Sequence, residues 1–289
     1  MTAPGLLIKM GVVPDLKGLV AVVTGSSRGG GRGIALALGE AKATVYITGR
    51  STRGSTTEDL PGSIEETAEE VTARGGIGIP VRCDHTVDAD VDALFQRINM
   101  EQERLDILIN NVWGGYEHYD YGKFDAPFWE QPQRRWHGMF EAGLRAHFLS
   151  SRFAVPLMLP QRKGLIINTT AWDRSLYLGN LFYDVAKAAI NRMAYGMSIE
   201  LRPYGIAALA LAPGFMRTER VMAAHSARPF DLSRTESPEY MGRAVAFLAA
   251  DPEILEKSGL ILAVGDLARE YGFTDIDGRQ VPAFRIDEQ

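Results

Sequence analysis

Tyr183 and Lys187 stand four residues apart in the stretch "LFYDVAKAAINRM", residues 181–193. On a helix that spacing puts both side chains on one face, within reach of each other. A phenol beside an ammonium can exchange a proton near neutral pH, because the positive charge favours the phenolate and lowers a pKa that is ordinarily near ~10. The pair also falls near the start of a helical segment, whose positive end acts in the same sense. Taken alone, an i,i+4 Tyr–Lys pair equally describes a solvated helix edge. Support for the chemistry has to come from elsewhere in the chain.

A second stretch supplies some. "TGSSRGGGRGIALALGEA", residues 24–41, carries Gly25, Gly29 and Gly31, with Ser27 and Arg28 among them. It follows an apolar run and opens an amphipathic one. Glycines at a strand-to-helix turn let the backbone turn tightly and approach a pyrophosphate, whose charge is met by the amides and dipole of the helix start. That context turns a glycine-rich run from a plain turn into a dinucleotide-binding candidate.

The elements that must position these residues alternate along the chain. Short aliphatic runs at 19–24, 43–48, 76–81, 105–110, 164–169, 206–211 and 259–264 read as buried strands. Segments of helical period lie between them, at about 31–41, 63–74, 87–103, 134–160, 181–203 and 237–250. Strand and helix in alternation predict an α/β fold: a doubly wound parallel sheet, Rossmann-like, in a single domain over 15–289. Residues 1–14 read as a loose N-terminal extension. Two stretches, 49–62 and 214–236, are longer than loops usually run, which favours function over idle connection. Ligands of such sheets bind at the carboxyl ends of the strands.

Composition narrows the classes. The chain has 289 residues, 46% of them apolar, enough for a sizeable core. A net charge of −5 without a basic run argues against nucleic acid or an anionic membrane surface as partner. Cys83 is the sole cysteine, so no intrachain disulfide can form. No stretch is apolar enough to predict a membrane span, and "MTAPGLLIKMGVVPDLKG" makes a poor signal peptide. A cytoplasmic protein is expected. The five histidines are scattered without metal-ligand spacing, so no metal is expected.

Several motifs together resemble the short-chain dehydrogenase/reductase family, over about residues 15–265. Thr24-Gly25-x-x-x-Gly29-x-Gly31 is similar to its cofactor fingerprint, and Tyr183-x-x-x-Lys187 to its active-site pair. "NNVWGG", 110–115, resembles the family's Asn-Asn-Ala-Gly stretch, with Asn110 and Asn111 retained and Val-Trp where Ala is usual. The resemblance implies hydride transfer between a nicotinamide and a carbonyl or alcohol carbon. It implies that Tyr183 is the general acid/base and that Lys187 also holds the nicotinamide ribose. It further implies Asp84 at the adenine, Asn110 at the cofactor, and Pro213, Gly214 and Thr218 of "PGFMRT" at the nicotinamide amide.

Two positions depart from the family pattern. The serine usually found thirteen residues before the tyrosine is Thr170, which offers the same donor and acceptor with an added methyl. A strand threonine chosen for shape is the competing explanation. The family's frequent asparagine, thought to brace a water linking the lysine to solvent, falls on Gly143, which has no side chain to do so.

Relatives that select NAD carry an acid at the end of the second strand. Here Gly49 takes that place, followed by Arg50, and Arg28 lies in the glycine turn. Two guanidinium groups suit the 2′-phosphate of NADP, which is expected over NAD. Trp113 and Trp172 follow strand ends and are candidates to line the substrate pocket, with about 219–236 as its lid. A fairly apolar, bulky ketone or aldehyde is the expected substrate, and the expected assembly is a homodimer or homotetramer. An NADP-binding sensor or regulatory protein with little turnover is the alternative, as is an enzyme of the family that reduces an enoyl bond or isomerises a sugar.

Overall fold

The computed structural model describes residues 12–117, 124–171 and 176–285. Seven apolar runs become strands: β1 (Val20–Thr24), β2 (Thr44–Gly49), β3 (Ile77–Arg82), β4 (Ile107–Asn110), β5 (Gly164–Thr169), β6 (Ile206–Ala212) and β7 (Ile261–Ala263). They form one sheet in the order β3-β2-β1-β4-β5-β6-β7, with every pairing parallel. The helices are α1 (Gly29–Glu40), α2 (Ile64–Ala73), α3 (Asp88–Gln102), α4 (Gln133–Met139), α5 (Ala146–Met158), α6 (Leu181–Leu201), α7 (Glu219–Ala227), α8 (Pro238–Ala250) and α9 (Val264–Tyr271).

Both faces of the sheet are covered, which is why the central strands read as unbroken apolar runs. Successive side chains of a strand point to opposite faces. Ala21, Val23, Ile107, Ile109, Leu165, Ile167, Leu209 and Leu211 pack with Ile34, Leu38, Val245 and Leu248 of α1 and α8. Val20, Val22, Leu108, Ile166 and Ala208 pack on the other face with Leu94, Ile98, Leu149 and Met158 of α3 and α5. The doubly wound sheet expected from the alternation is therefore the one observed.

Capping fixes the helices that carry the site. The Asn180 side chain accepts from the Tyr183 amide at 3.0 Å, which starts α6 so that Tyr183 lies in its first turn. Lys187 then follows one turn later. Ser63 and Glu66 form a reciprocal capping box on α2.

The predicted helix over 134–160 is interrupted. Between α4 and α5, Phe140–Arg145 forms a π-helical turn that contains Gly143. Such insertions often mark functional sites. Helix α7, inside the long stretch 214–236, gave no periodic signal because none of its residues is buried. Helix α9 has no counterpart among the predicted helices, and the predicted strand at 259–264, which in the structure stops at Ala263, runs one residue into it.

Not every glycine of the turn stretch serves a ligand. A Cβ on Gly33 would run into the backbone of Pro238, and one on Gly242 into the carbonyl of Gly33. These two positions let α1 and α8 cross in close contact. Gly33→Ala is expected to destabilise the protein by about 1–3 kcal/mol through overpacking, in spite of alanine's better helix propensity. Thermal unfolding checks this: the midpoint should fall by a few degrees, and a rise would remove the packing role.

Candidate active site

The glycine turn lies where β1 adjoins β4, the point at which the strand order reverses. Gly25 (φ +66°) and Gly29 (φ +57°) adopt the left-handed region that glycine favours. At Gly31 a Cβ would collide with the Gly25 carbonyl and the Asn111 side chain, so the helix start can approach the turn only without one. The turn is tied to the end of β4. Asn111 Nδ2 donates to the carbonyls of Thr24 and Gly25, both at 3.0 Å, and Thr24 Oγ1 accepts from the amides of Asn111 and Val112. Asn111 thus shapes the turn, a role its place beside Asn110 in "NNVWGG" did not single out.

The start of α1 has no acidic residue of its own in its first turn. An acid comes instead from α7: the Gly29 amide donates to Glu219 Oε2 at 2.9 Å. That carboxylate is a stand-in anion at the position where a diphosphate would meet the helix start, and it shows that the turn accepts negative oxygen. The residues present fit a dinucleotide.

Beyond the turn, Arg28 reaches across the stretch 49–62. Its guanidinium donates to Ser51 Oγ at 2.7 Å, to the Thr57 carbonyl and hydroxyl at 3.1 Å, and to the Gly62 carbonyl at 3.3 Å. Arg50 pairs with the Glu117 carboxylate from the segment after β4. Gly49 ends β2 over Ser27, so a side chain there would face the turn. Asp84 Oδ1 accepts from the amide and hydroxyl of Thr86. Burial raises the pKa of Asp84, but the Thr86 bonds and the nearby Arg50 charge outweigh it, and the group is held below the usual carboxylate range. Asn110 is fully buried, and its Nδ2 donates to Ser151 Oγ and Asn168 Oδ1. Its side chain ties β4 to β5 and α5 from within the fold.

Tyr183 and Lys187 come together with residues from the end of β4. The Trp113 ring meets that of Tyr183 edge-on at 5.7 Å, and the Lys187 ammonium lies 3.7 Å from its centroid. Tyr116 and Phe124 close on Tyr183 at 6.2 and 6.0 Å. A hydrogen bond joins the hydroxyls of Tyr116 and Tyr183, a contact that aromatic crowding in the sequence did not identify. Lys187 is 6% exposed, and burial brings its pKa down to about 7. The Tyr183 pKa is raised, not lowered as the spacing predicted: burial opposes the phenolate, and the Tyr116 bond offsets this only in part. Thr170, just past β5, is 4% exposed; its hydroxyl donates weakly to the carbonyls of Lys187 (3.4 Å) and Ala171 (3.3 Å). Trp172 lies outside the described residues.

Pro213 and Gly214 follow β6. Gly214 packs against Glu236, a buried carboxyl whose pKa burial pushes up to about 8. Thr218 Oγ1 accepts from the Val221 amide and caps α7, and its methyl faces Gly29. From there Glu219 reaches the glycine turn, and Arg220 pairs with Glu58 at 2.5 Å. The segment expected as a substrate lid therefore also lies across the dinucleotide end of the cleft. Among the described residues no cluster of His, Cys, Asp or Glu could hold a metal ion.

The family model described as short chain dehydrogenase matches residues 19–229. Dehydrogenase/reductase SDR family member 1 of Mus musculus is 41% identical over 283 residues, 93% of this chain and 87% of the relative. A short chain dehydrogenase structure from Mycobacterium thermoresistibile superposes with a TM-score of 0.80 at 24% identity, covering 95% of this chain and 97% of that one. A metagenomic short-chain oxidoreductase in complex with NADP gives 0.67 at 24% identity, over 86% of this chain and 96% of that one. With the whole sheet and the Tyr–Lys pair in place, the chain belongs to the short-chain dehydrogenase/reductase family and is an NAD(P)-dependent oxidoreductase.

Proposed function

We propose that the protein is an NADP-dependent reductase of apolar carbonyl compounds, or the corresponding alcohol dehydrogenase, with Tyr183 as general acid/base. The observation that carries this reading is the protonated Tyr183 phenol beside Lys187 within a wall of Trp113, Tyr116 and Phe124. The nicotinamide ring supplies or takes the hydride when bound. Gly25, Ser27, Gly29 and Gly31 would hold its diphosphate, Asp84 its adenine, and Pro213, Gly214 and Thr218 its carboxamide end. Lys187 would hold the ribose hydroxyls.

Burial keeps the Tyr183 proton on the phenol, so an oxygen gaining negative charge finds a donor already charged with a proton. Thr170 would hold the same oxygen, since its present bonds to backbone carbonyls are long and easily released. The aromatic wall excludes water and suits a bulky, weakly polar ketone. No helix among the described residues is long and apolar enough to cross a membrane. A cytoplasmic homodimer or homotetramer, with one catalytic domain over 15–289, completes the proposal.

NADP over NAD is supported by the absence of an acid at Gly49, by the two arginines around the end of β2, and by the NADP found in the metagenomic structure. Arg28 is already oriented by four acceptor atoms, whereas Arg50 has to share its charge with Glu117.

Three outcomes are expected. Tyr183→Phe should lower kcat on a bulky aromatic ketone by roughly 10²–10⁴-fold, the usual worth of a positioned proton donor, with NADPH affinity nearly unchanged; substantial turnover in this variant would sink the assignment. In fluorescence titrations at one ionic strength NADPH should bind more tightly than NADH. Arg28→Ala should then weaken NADPH by roughly tenfold or more and NADH far less, as loss of a charge-assisted bond would do; equal losses for both would refute the 2′-phosphate contact. Glu219→Gln should tighten NADPH several-fold, most clearly at low salt, because the carboxylate now on the Gly29 amide repels an arriving phosphate. Weaker binding in that variant would mean that Glu219 helps to hold the ligand.

A further inference from the structure

Lys187 is a buried ammonium with no acid beside it among the described residues. Burial lowers its pKa, and no ion pair or hydrogen bond to Nζ from those residues offsets the cost of taking the charge out of water. Among the described residues the groups near Nζ are Tyr183 from its own helix, His147 from α5 and Trp113 from the end of β4, while the Thr170 hydroxyl bonds the backbone carbonyl of Lys187. The two hydroxyls are neutral. His147 is neutral as well, its pKa taken down to about 3 by burial and further by the Lys187 charge. Two rings offer electron density: the Trp113 centroid is 3.7 Å from Nζ, a close cation–π distance, and the Tyr183 centroid lies farther off at 5.6 Å.

The ring sits in a slot between two glycines. A Cβ on Gly143 would lie 2.7 Å from Cε3 and Cζ3 of the indole, and one on Gly115 would lie 2.7 Å from Nε1. Gly143 belongs to the π-helical turn, where the backbone bulges beside the site. The indole Nε1 is buried without a hydrogen-bond partner among the described residues, a cost that packing for its N–H would not leave standing. It is the face of the ring that is used.

We propose that Trp113 is the positioning residue for Lys187, its ring seated in the space left by the bare Cα of Gly143 so that the ammonium stays charged and in place where the described residues provide no counter-ion. This rests on the cofactor-holding role given to Lys187 above. Gly143 then has a definite function: it makes room for the group that steadies the lysine.

The test compares Trp113→Phe, Trp113→Leu, Gly143→Ala and the Trp113→Leu/Gly143→Ala double variant, with Lys187→Met as control. Two quantities are followed across the neutral and alkaline range: NADPH affinity, and the change in indole emission of the ligand-free protein as Lys187 loses its proton. A charged lysine binds; raising the pH through its pKa discharges it and weakens NADPH. Loss of the ring makes discharge easier, so Trp113→Leu should move the alkaline limb of NADPH binding down by about one pH unit, while Trp113→Phe retains most of the parent behaviour. Gly143→Ala should reproduce the leucine shift without touching Trp113, and should add nothing in the leucine background. The emission change should vanish in Lys187→Met. Thermal midpoints identify any variant that fails to fold, and the Phe and Gly143→Ala arms approach the contact from opposite sides. An unshifted limb in Trp113→Leu, or full additivity with Gly143→Ala, overturns the proposal when Lys187→Met has lost NADPH binding. If Lys187→Met binds and turns over like the parent, the role of Lys187 fails instead, and the proposal falls with it.

Discussion

Between β1 and β4 the chain winds to opposite sides of the sheet, and no crossover helix covers both strand ends there. That topological constraint creates the cleft on which the rest depends. It aims the start of α1 at open space, with its amides free to meet an anion. It also leaves the segment after β4 free to run across the top of the sheet, where it delivers Asn111 to the glycine turn and Trp113 to α6. Parallel register carries the effect sideways: Thr24 pairs with Thr48 and Asn110 with Asn168, so the strand ends finish level and their following residues meet.

Charges are handled in opposite ways at the two ends of this cleft. At the dinucleotide end the guanidinium of Arg28 is bound by four acceptors, and the carboxylate of Glu219 is bound by a helix-start amide. At the chemical end Lys187 has none of these among the described residues, where its neighbours are rings and neutral groups. The physics differs accordingly. Polar partners hold groups firmly in one place, whereas a desolvated ammonium with a pKa of about 7 stays sensitive to any ligand that brings hydroxyls near it. The same apolar surroundings raise the pKa of Tyr183, so both members of the pair are shifted toward their neutral forms. The spacing of the pair foretold their proximity. It carried no information about the water excluded from around them.

The Val-Trp of "NNVWGG" where Ala is usual, and Gly143 where asparagine is frequent, are a single feature in space, because the Trp113 ring packs against Gly143. A large ring is admitted where a neighbouring side chain is removed. Read along the chain they lie thirty residues apart, and only their steric contact relates them.

The sequence by itself determined the α/β alternation, six of the seven strands closely, the glycine turn and the Tyr–Lys pair, because each rests on local rules: period, turn chemistry and helical spacing. Capping is local where Asn180 accepts from the Tyr183 amide, although its Nδ2 is also held by the distant Phe124 carbonyl. What only the tertiary structure decided are the contacts between distant segments. Glu219 on the Gly29 amide, Arg50 on Glu117, Asn110 turned into the sheet, and the Trp113 ring between Gly143 and Lys187 all join residues that no periodicity connects. The same holds for the direction of the Tyr183 shift. A nearby positive charge argues for a lower pKa, but desolvation depends on how completely β4, α5 and α6 close around the phenol, and that closure exists only once the sheet has brought them together.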